Sequence, residues 1–99
     1  MSLSEENISQ LKKLGRKYRV KTLSVFGSVV AGDFNSASDI DFAVDFEEED
    51  PLKYADLYFG LKQNLENLFK RDIDLIELRG IKNQVFKKEL EATQVLIYG

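Results

Sequence analysis

The stretch Asp39-Ile40-Asp41-Phe42-Ala43-Val44-Asp45-Phe46 alternates without a fault. In an extended chain Ile40, Phe42, Val44 and Phe46 fall on one side, and Asp39, Asp41, Ala43 and Asp45 on the other. That spacing predicts a β-strand with one face in a core. Upstream, Val20 to Phe26 is β-branched and uncharged after Lys21, which suits a buried strand. Gly27-Ser28 closes that strand, and a short helical segment from Ser28 to Gly32 is expected before the second strand begins.

Helices flank the pair. Ser2 with Glu5 has the spacing of a capping box, and Ile8, Leu11, Leu14 and Tyr18 follow at helical intervals, so residues 4–18 are predicted as a helix with Gly15 near its end. After the acidic run Glu47–Asp50, Pro51 opens a second helix. It is marked by Tyr54, Leu57, Tyr58, Leu61, Leu65, Leu68 and Phe69, with Lys70 and Arg71 at its C-terminal end. Asp72 to Leu78 reads as a third strand broken by Gly80. Residues 82–92 read as a last helix with Val85, Phe86 and Leu90 inward. Val95 to Tyr98 fits either an extension of that helix or an edge strand. The alternation of helices and strands predicts an α/β (α+β) fold, a small mixed sheet packed against helices, in a single domain over residues 1–99.

Composition bounds the chemistry. The chain has 99 residues, 43% hydrophobic and 31% charged, a globular balance that allows one core and no second. It has no Cys and no His, which excludes disulfide scaffolds, zinc fingers and imidazole catalysis. What remains is carboxylates, hydroxyls, Lys, Arg and oxygen-bound hard metals. The net charge of −3 carries no basic stripe, so direct nucleic-acid binding is not expected. The longest mainly apolar uncharged run, Thr22 to Gly32, is too short to span a bilayer, and no secretory pattern opens the chain. A cytoplasmic location is the expectation.

One constellation stands out. A Gly-Ser turn at a helix start exposes backbone N–H groups and a hydroxyl, which suits a phosphate chain. Two Asp at i and i+2 on a strand share a face and are favourable together around a divalent cation such as Mg²⁺. Alone, Gly27-Ser28 is an ordinary turn, and Asp39-x-Asp41 an ordinary solvated strand face. Joined across adjacent strands, they have the parts of a nucleotide and metal site.

The run Phe26-Gly27-Ser28-Val29-Val30-Ala31-Gly32 … Ser38-Asp39-Ile40-Asp41-Phe42-Ala43-Val44 resembles the signature of the DNA polymerase beta-type nucleotidyltransferase superfamily, and especially its minimal nucleotidyltransferases. Ile73-Asp74-Leu75-Ile76 is similar to that family's third carboxylate strand, and the resemblance runs from about residue 5 to 98. It implies a nucleotidyltransferase fold, phosphates held by Gly27 and Ser28, and two Mg²⁺ ions held by Asp39, Asp41 and Asp74. Those three carboxylates would be the catalytic set, with Asp74 assisting deprotonation of the attacking hydroxyl. Asp74 is preferred to Asp72, which reads as a strand-entry residue, and Asp45 is read as structural.

The resemblance further implies transfer of AMP from ATP to a tyrosine hydroxyl of a partner protein, a HEPN-domain ribonuclease toxin to which this chain would be the antitoxin. The family usually has Arg where this chain has Ala31, so a cation for the triphosphate is missing there. A binding antitoxin with weak or no catalysis, acting by complex formation, is the alternative. A chain this short has no room for a second substrate-gripping domain, so the acceptor would be brought by a partner or by a second copy. Tyr54, Tyr58 and Phe59 are candidates to line that contact, with core packing the competing role.

Overall fold

A computed structural model of the chain describes residues 4–26 and 40–99. Helix α1 spans Glu5–Lys17, strand β1 Val20–Phe26, strand β2 Ile40–Phe46, helix α2 Pro51–Phe69 and strand β3 Ile73–Glu77. A 3₁₀ turn at Leu78–Gly80, helix α3 at Gln84–Thr93 and strand β4 at Val95–Tyr98 complete the order. The four strands lie as β3-β2-β1-β4. β1 runs antiparallel to β2 and β4, and β2 runs parallel to β3, so the sheet is mixed as expected.

α1 begins one half-turn later than the Ser2–Glu5 pattern implied. Ser4 is the N-cap: its hydroxyl accepts from the Asn7 amide at 3.0 Å, and Asn7 Oδ1 accepts from the Ser4 amide at 3.3 Å. An amide side chain three residues on closes the same reciprocal pair that a Glu would. At α2 the cap is Asp50, whose carboxylate accepts from Leu52 and Lys53, ahead of Pro51, which has no amide to satisfy.

α1 and α2 cover one face of the sheet. Ile40, Phe42, Val44 and Phe46 of β2 are buried there with Leu23 and Val25 of β1, Ile73 and Leu75 of β3, Leu11 of α1, and Leu61 and Leu65 of α2. Rings link the layers: Phe42 lies 6.0 Å from Phe69, and Phe46 meets Tyr54 edge-on at 5.1 Å. Gly15 is buried under the Tyr98 ring, so close that a Cβ there would come within 2.8 Å of it, and this contact ties α1 to the last strand.

The C-terminal segment settles one open reading and corrects another. Val95–Tyr98 is the edge strand: Gln94 leaves the helix at φ −67°, ψ 151°, and Val95, Leu96 and Tyr98 pair with β1. Val85 and Phe86 are not inward as the spacing suggested. Val85 is 68% exposed and Phe86 37%, whereas Leu90 is 2% exposed. At about 100° per residue, Val85 stands roughly 140° around α3 from Leu90 and cannot share its face. Phe86 shares that face one turn earlier, but it remains more than a third exposed.

Candidate active site

The sheet face away from α1 and α2 carries the carboxylates. Its centre is closed: Ser24 and Ala43, opposite each other on β1 and β2, are buried. Asp41 and Asp45 flank that centre along β2, and the sheet gives the two residues different surroundings.

At the Asp45 end, Arg79 takes the carboxylate. Its Nε and Nη2 donate to Asp45 Oδ1 at 3.1 and 2.9 Å, and further donations reach the carbonyls of Phe46 and Glu48 at 2.7 and 2.9 Å. The guanidinium also lies 4.4 Å from the centre of the Tyr54 ring. This fork of donors fixes the end of β2 and the turn after it. Asp45 is therefore in an ion pair that holds structure together, in keeping with its reading as structural.

At the Asp41 end a second carboxylate stands in register. Asp41 pairs in register with Phe26 on β1 and with Asp74 on β3. Parallel register partners point to the same face, on strands about 4.8 Å apart. Asp41 is half-buried and Asp74 exposed, each set between buried apolar neighbours: Ile40 and Phe42 for the first, Ile73 and Leu75 for the second. Asp72 precedes β3, gives its carbonyl to the Ile40 amide at 3.4 Å and has no place among the register pairs. Gly27, Ser28, Ala31, Asp39 and the Ser28–Gly32 segment lie outside the described residues, so the phosphate cradle and the first carboxylate rest on the sequence.

Among the described residues no three metal-ligating side chains stand together. Asp41 and Asp74 could supply two hard oxygen ligands on one face. That fits Mg²⁺, which takes one or two carboxylates and completes its shell with water and substrate phosphates.

Beside β3, on the α2 side, runs a groove of about 410 Å³ lined by Tyr54, Tyr58, Phe59, Leu75, Glu77 and Ile81. All three aromatics proposed for a contact line it, although Tyr54 and Tyr58 also pack on the core while Phe59 is 66% exposed. Burial and the nearby Glu77 carboxylate push the Tyr54 hydroxyl up to about 12, and burial with Glu77 and Asp74 raises Tyr58. The Tyr58 hydroxyl donates to the Leu75 carbonyl at 2.7 Å. Sequence reasoning missed this bond and the Arg79 latch. Helical spacing marks Tyr58 as core-facing but is silent on its hydroxyl, and Arg79 lies 34 positions from Asp45 with no local pattern to announce it.

The described residues thus give a mixed sheet with one helix-covered face, and place Asp41 beside Asp74 near the starts of β2 and β3. The chain belongs to the family described as polymerase beta, nucleotidyltransferase, which matches residues 9–99. It is 37% identical over 87 residues to a candidate protein adenylyltransferase of Methanocaldococcus jannaschii, covering 88% of this chain and 84% of the relative. To protein adenylyltransferase MntA of Thermococcus cleftensis it is 35% identical over 79 residues, 80% of this chain and 77% of that one. Among solved structures, a candidate minimal nucleotidyltransferase superposes with a TM-score of 0.79 at 26% identity, covering 96% of this chain and 95% of that one. A chain of a toxin-antitoxin structure with AMP-PNP gives 0.73 at 26% identity, covering 94% of this chain and 73% of that chain. The nucleotidyltransferase fold expected from the sequence is the fold found, and no described helix is long and apolar enough to cross a membrane.

Proposed function

We propose that this chain transfers AMP from ATP to a tyrosine hydroxyl of a partner protein in the cytoplasm, and that it is the antitoxin of a HEPN-type ribonuclease toxin. The observation that carries the reading is the pairing of Asp41 with Asp74 in a chain of this family. Relatives named as protein adenylyltransferases support the class of acceptor. A structural relative from a toxin-antitoxin pair with an ATP analogue supports the partner and the nucleotide.

In this reading Gly27 and Ser28 hold the phosphates, and Asp39 and Asp41 would hold the metal ions that meet the nucleotide. The acceptor hydroxyl gives its proton to the Asp74 carboxylate while its oxygen attacks the α-phosphorus in line. The bond from that phosphorus to the bridging oxygen of the β-phosphate breaks, and pyrophosphate leaves. Two Mg²⁺ ions held by Asp39, Asp41 and Asp74 would supply charge compensation at the entering and leaving oxygens.

The test is incubation of the chain with Mg²⁺ and the protein encoded beside it, with ATP labelled in parallel at the α- and the γ-phosphate. Label from the α position alone should appear on the partner. Inhibition of the toxin with no α-label transferred would replace this reading with antitoxin action by complex formation.

A further inference from the structure

Asp74 sits on a sheet edge. Among the described residues β2 is the strand neighbour of β3, so one side of β3 has its peptide groups paired and the other depends on something else. The Asp72 carbonyl takes the Ile40 amide, which places the even-numbered peptide groups of this segment toward β2. Alternation along the strand then turns the Leu75 carbonyl outward, away from β2. That carbonyl, one residue beyond Asp74, is the acceptor of the Tyr58 hydroxyl at 2.7 Å.

Tyr58 is well placed to hold it. α2 brings the side chain to the core against β3, and the adjacent Phe59 ring meets it edge-on at 5.2 Å. The bond is half-buried, so water replaces it poorly. β3 is thus clamped on both sides at the one position where its register matters, with β2 on the inner side and a tyrosine hydroxyl on the outer.

We propose that Tyr58 is a positioning residue for nucleotidyl transfer: through the Leu75 carbonyl it holds the Asp74 carboxylate in register with Asp41. Asp74 reaches its substrate by a strand edge rather than a central strand, and an edge held on one side only would shift. A displacement of about 1 Å at a reacting group costs up to roughly 100-fold in rate. This role rests on the function assigned to Asp74 above.

Tyr58→Phe keeps the ring and removes one O–H. With the full chain, its partner, ATP and Mg²⁺, the kcat of transfer should fall about 10- to 100-fold with KM for ATP unchanged. Combined with Asp74→Asn, Tyr58→Phe should cost nothing further, because both changes act through the same carboxylate. Amide hydrogen exchange gives a readout that needs no activity. In Tyr58→Phe the Asp74 and Ile76 amides should exchange at least about tenfold faster, while those of Leu23 and Val25 in β1 keep their protection. Unchanged exchange in β3, an unchanged kcat, or a loss that multiplies with that of Asp74→Asn overturns the proposal. A wild-type chain that transfers no AMP overturns the function instead, and the exchange result then decides the clamp by itself.

Discussion

Asp41 and Asp74 are register partners on two parallel strands, on the sheet face that α1 and α2 leave uncovered. They are 33 residues apart in sequence, and the order β3-β2-β1-β4 brings them side by side. Two carboxylates in register across a strand pair favour a cation between them, and the cost of their proximity can be measured. At the other end of β2 the same face meets Arg79, and Asp45 is neutralised within the protein.

The first consequence is a stability test without metal. Asp74→Asn removes one charge of the pair and leaves an exposed polar side chain of the same shape. In chelator-treated protein at neutral pH it should unfold no earlier than the wild type, and up to about 1 kcal/mol later. Urea titration of both chains measures this, and a clear loss of stability would mean that Asp74 is a structural carboxylate.

Arg79 should behave in the opposite way. Arg79→Leu strips Asp45 of its partner and leaves the carbonyls of Phe46 and Glu48 without these donors. A loss of about 1–3 kcal/mol is expected, reduced from the sum of its bonds because the side chain is 36% exposed. Arg79→Lys should recover only part of it, since an ammonium cannot form the fork. Thermal melts of the three chains rank them.

Tyr54 gives a pH dependence at the alkaline end. Its hydroxyl ionises near 10 in the unfolded chain and is pushed up to about 12 in the fold, by burial first and Glu77 second. Between those values the folded state binds more protons than the unfolded one. Stability contributed by the neutral hydroxyl is therefore complete below pH 10 and is lost as pH rises toward 12. Tyr54→Phe should flatten the fall of melting temperature with pH across that window. Equal slopes for the two proteins would contradict the assignment.

Leu90 and Val85 separate the buried from the open side of α3. Leu90→Ala should cost about 2–4 kcal/mol, because the side chain is 2% exposed. Val85→Ser should stay within about 0.5 kcal/mol. Denaturant midpoints distinguish this from the inward placement that apolar spacing alone suggested.

Strong periodicity was legible from the sequence, and pairing was not. The alternation in β2 and the seven apolar positions of α2 predicted both elements, because each pattern fits only one period. Val95 to Tyr98 was open because four apolar residues satisfy strand and helix alike, and only the pairing with β1 decides. In α3, three large apolar residues among ten were too few to define a face. The cap of α1 was displaced because Ser2 and Ser4 both precede the helix, and Asn7 completes the box from Ser4. The DxD carboxylates could be proposed from local spacing, whereas the partnership of Asp41 with Asp74 depends on strand order. The Tyr58 and Arg79 bonds depend on side chains meeting across 17 and 34 positions.

If Asp41 and Asp74 act together on one nucleotide, the rate of AMP transfer in single and double variants shows it. With α-labelled ATP, Mg²⁺ and the partner protein, Asp41→Asn and Asp74→Asn should each lower the rate at least about 100-fold in chains that remain folded. The double variant should be little worse than either, because groups that act as a unit are not additive. Transfer at the wild-type rate by either folded variant would place the chemistry elsewhere.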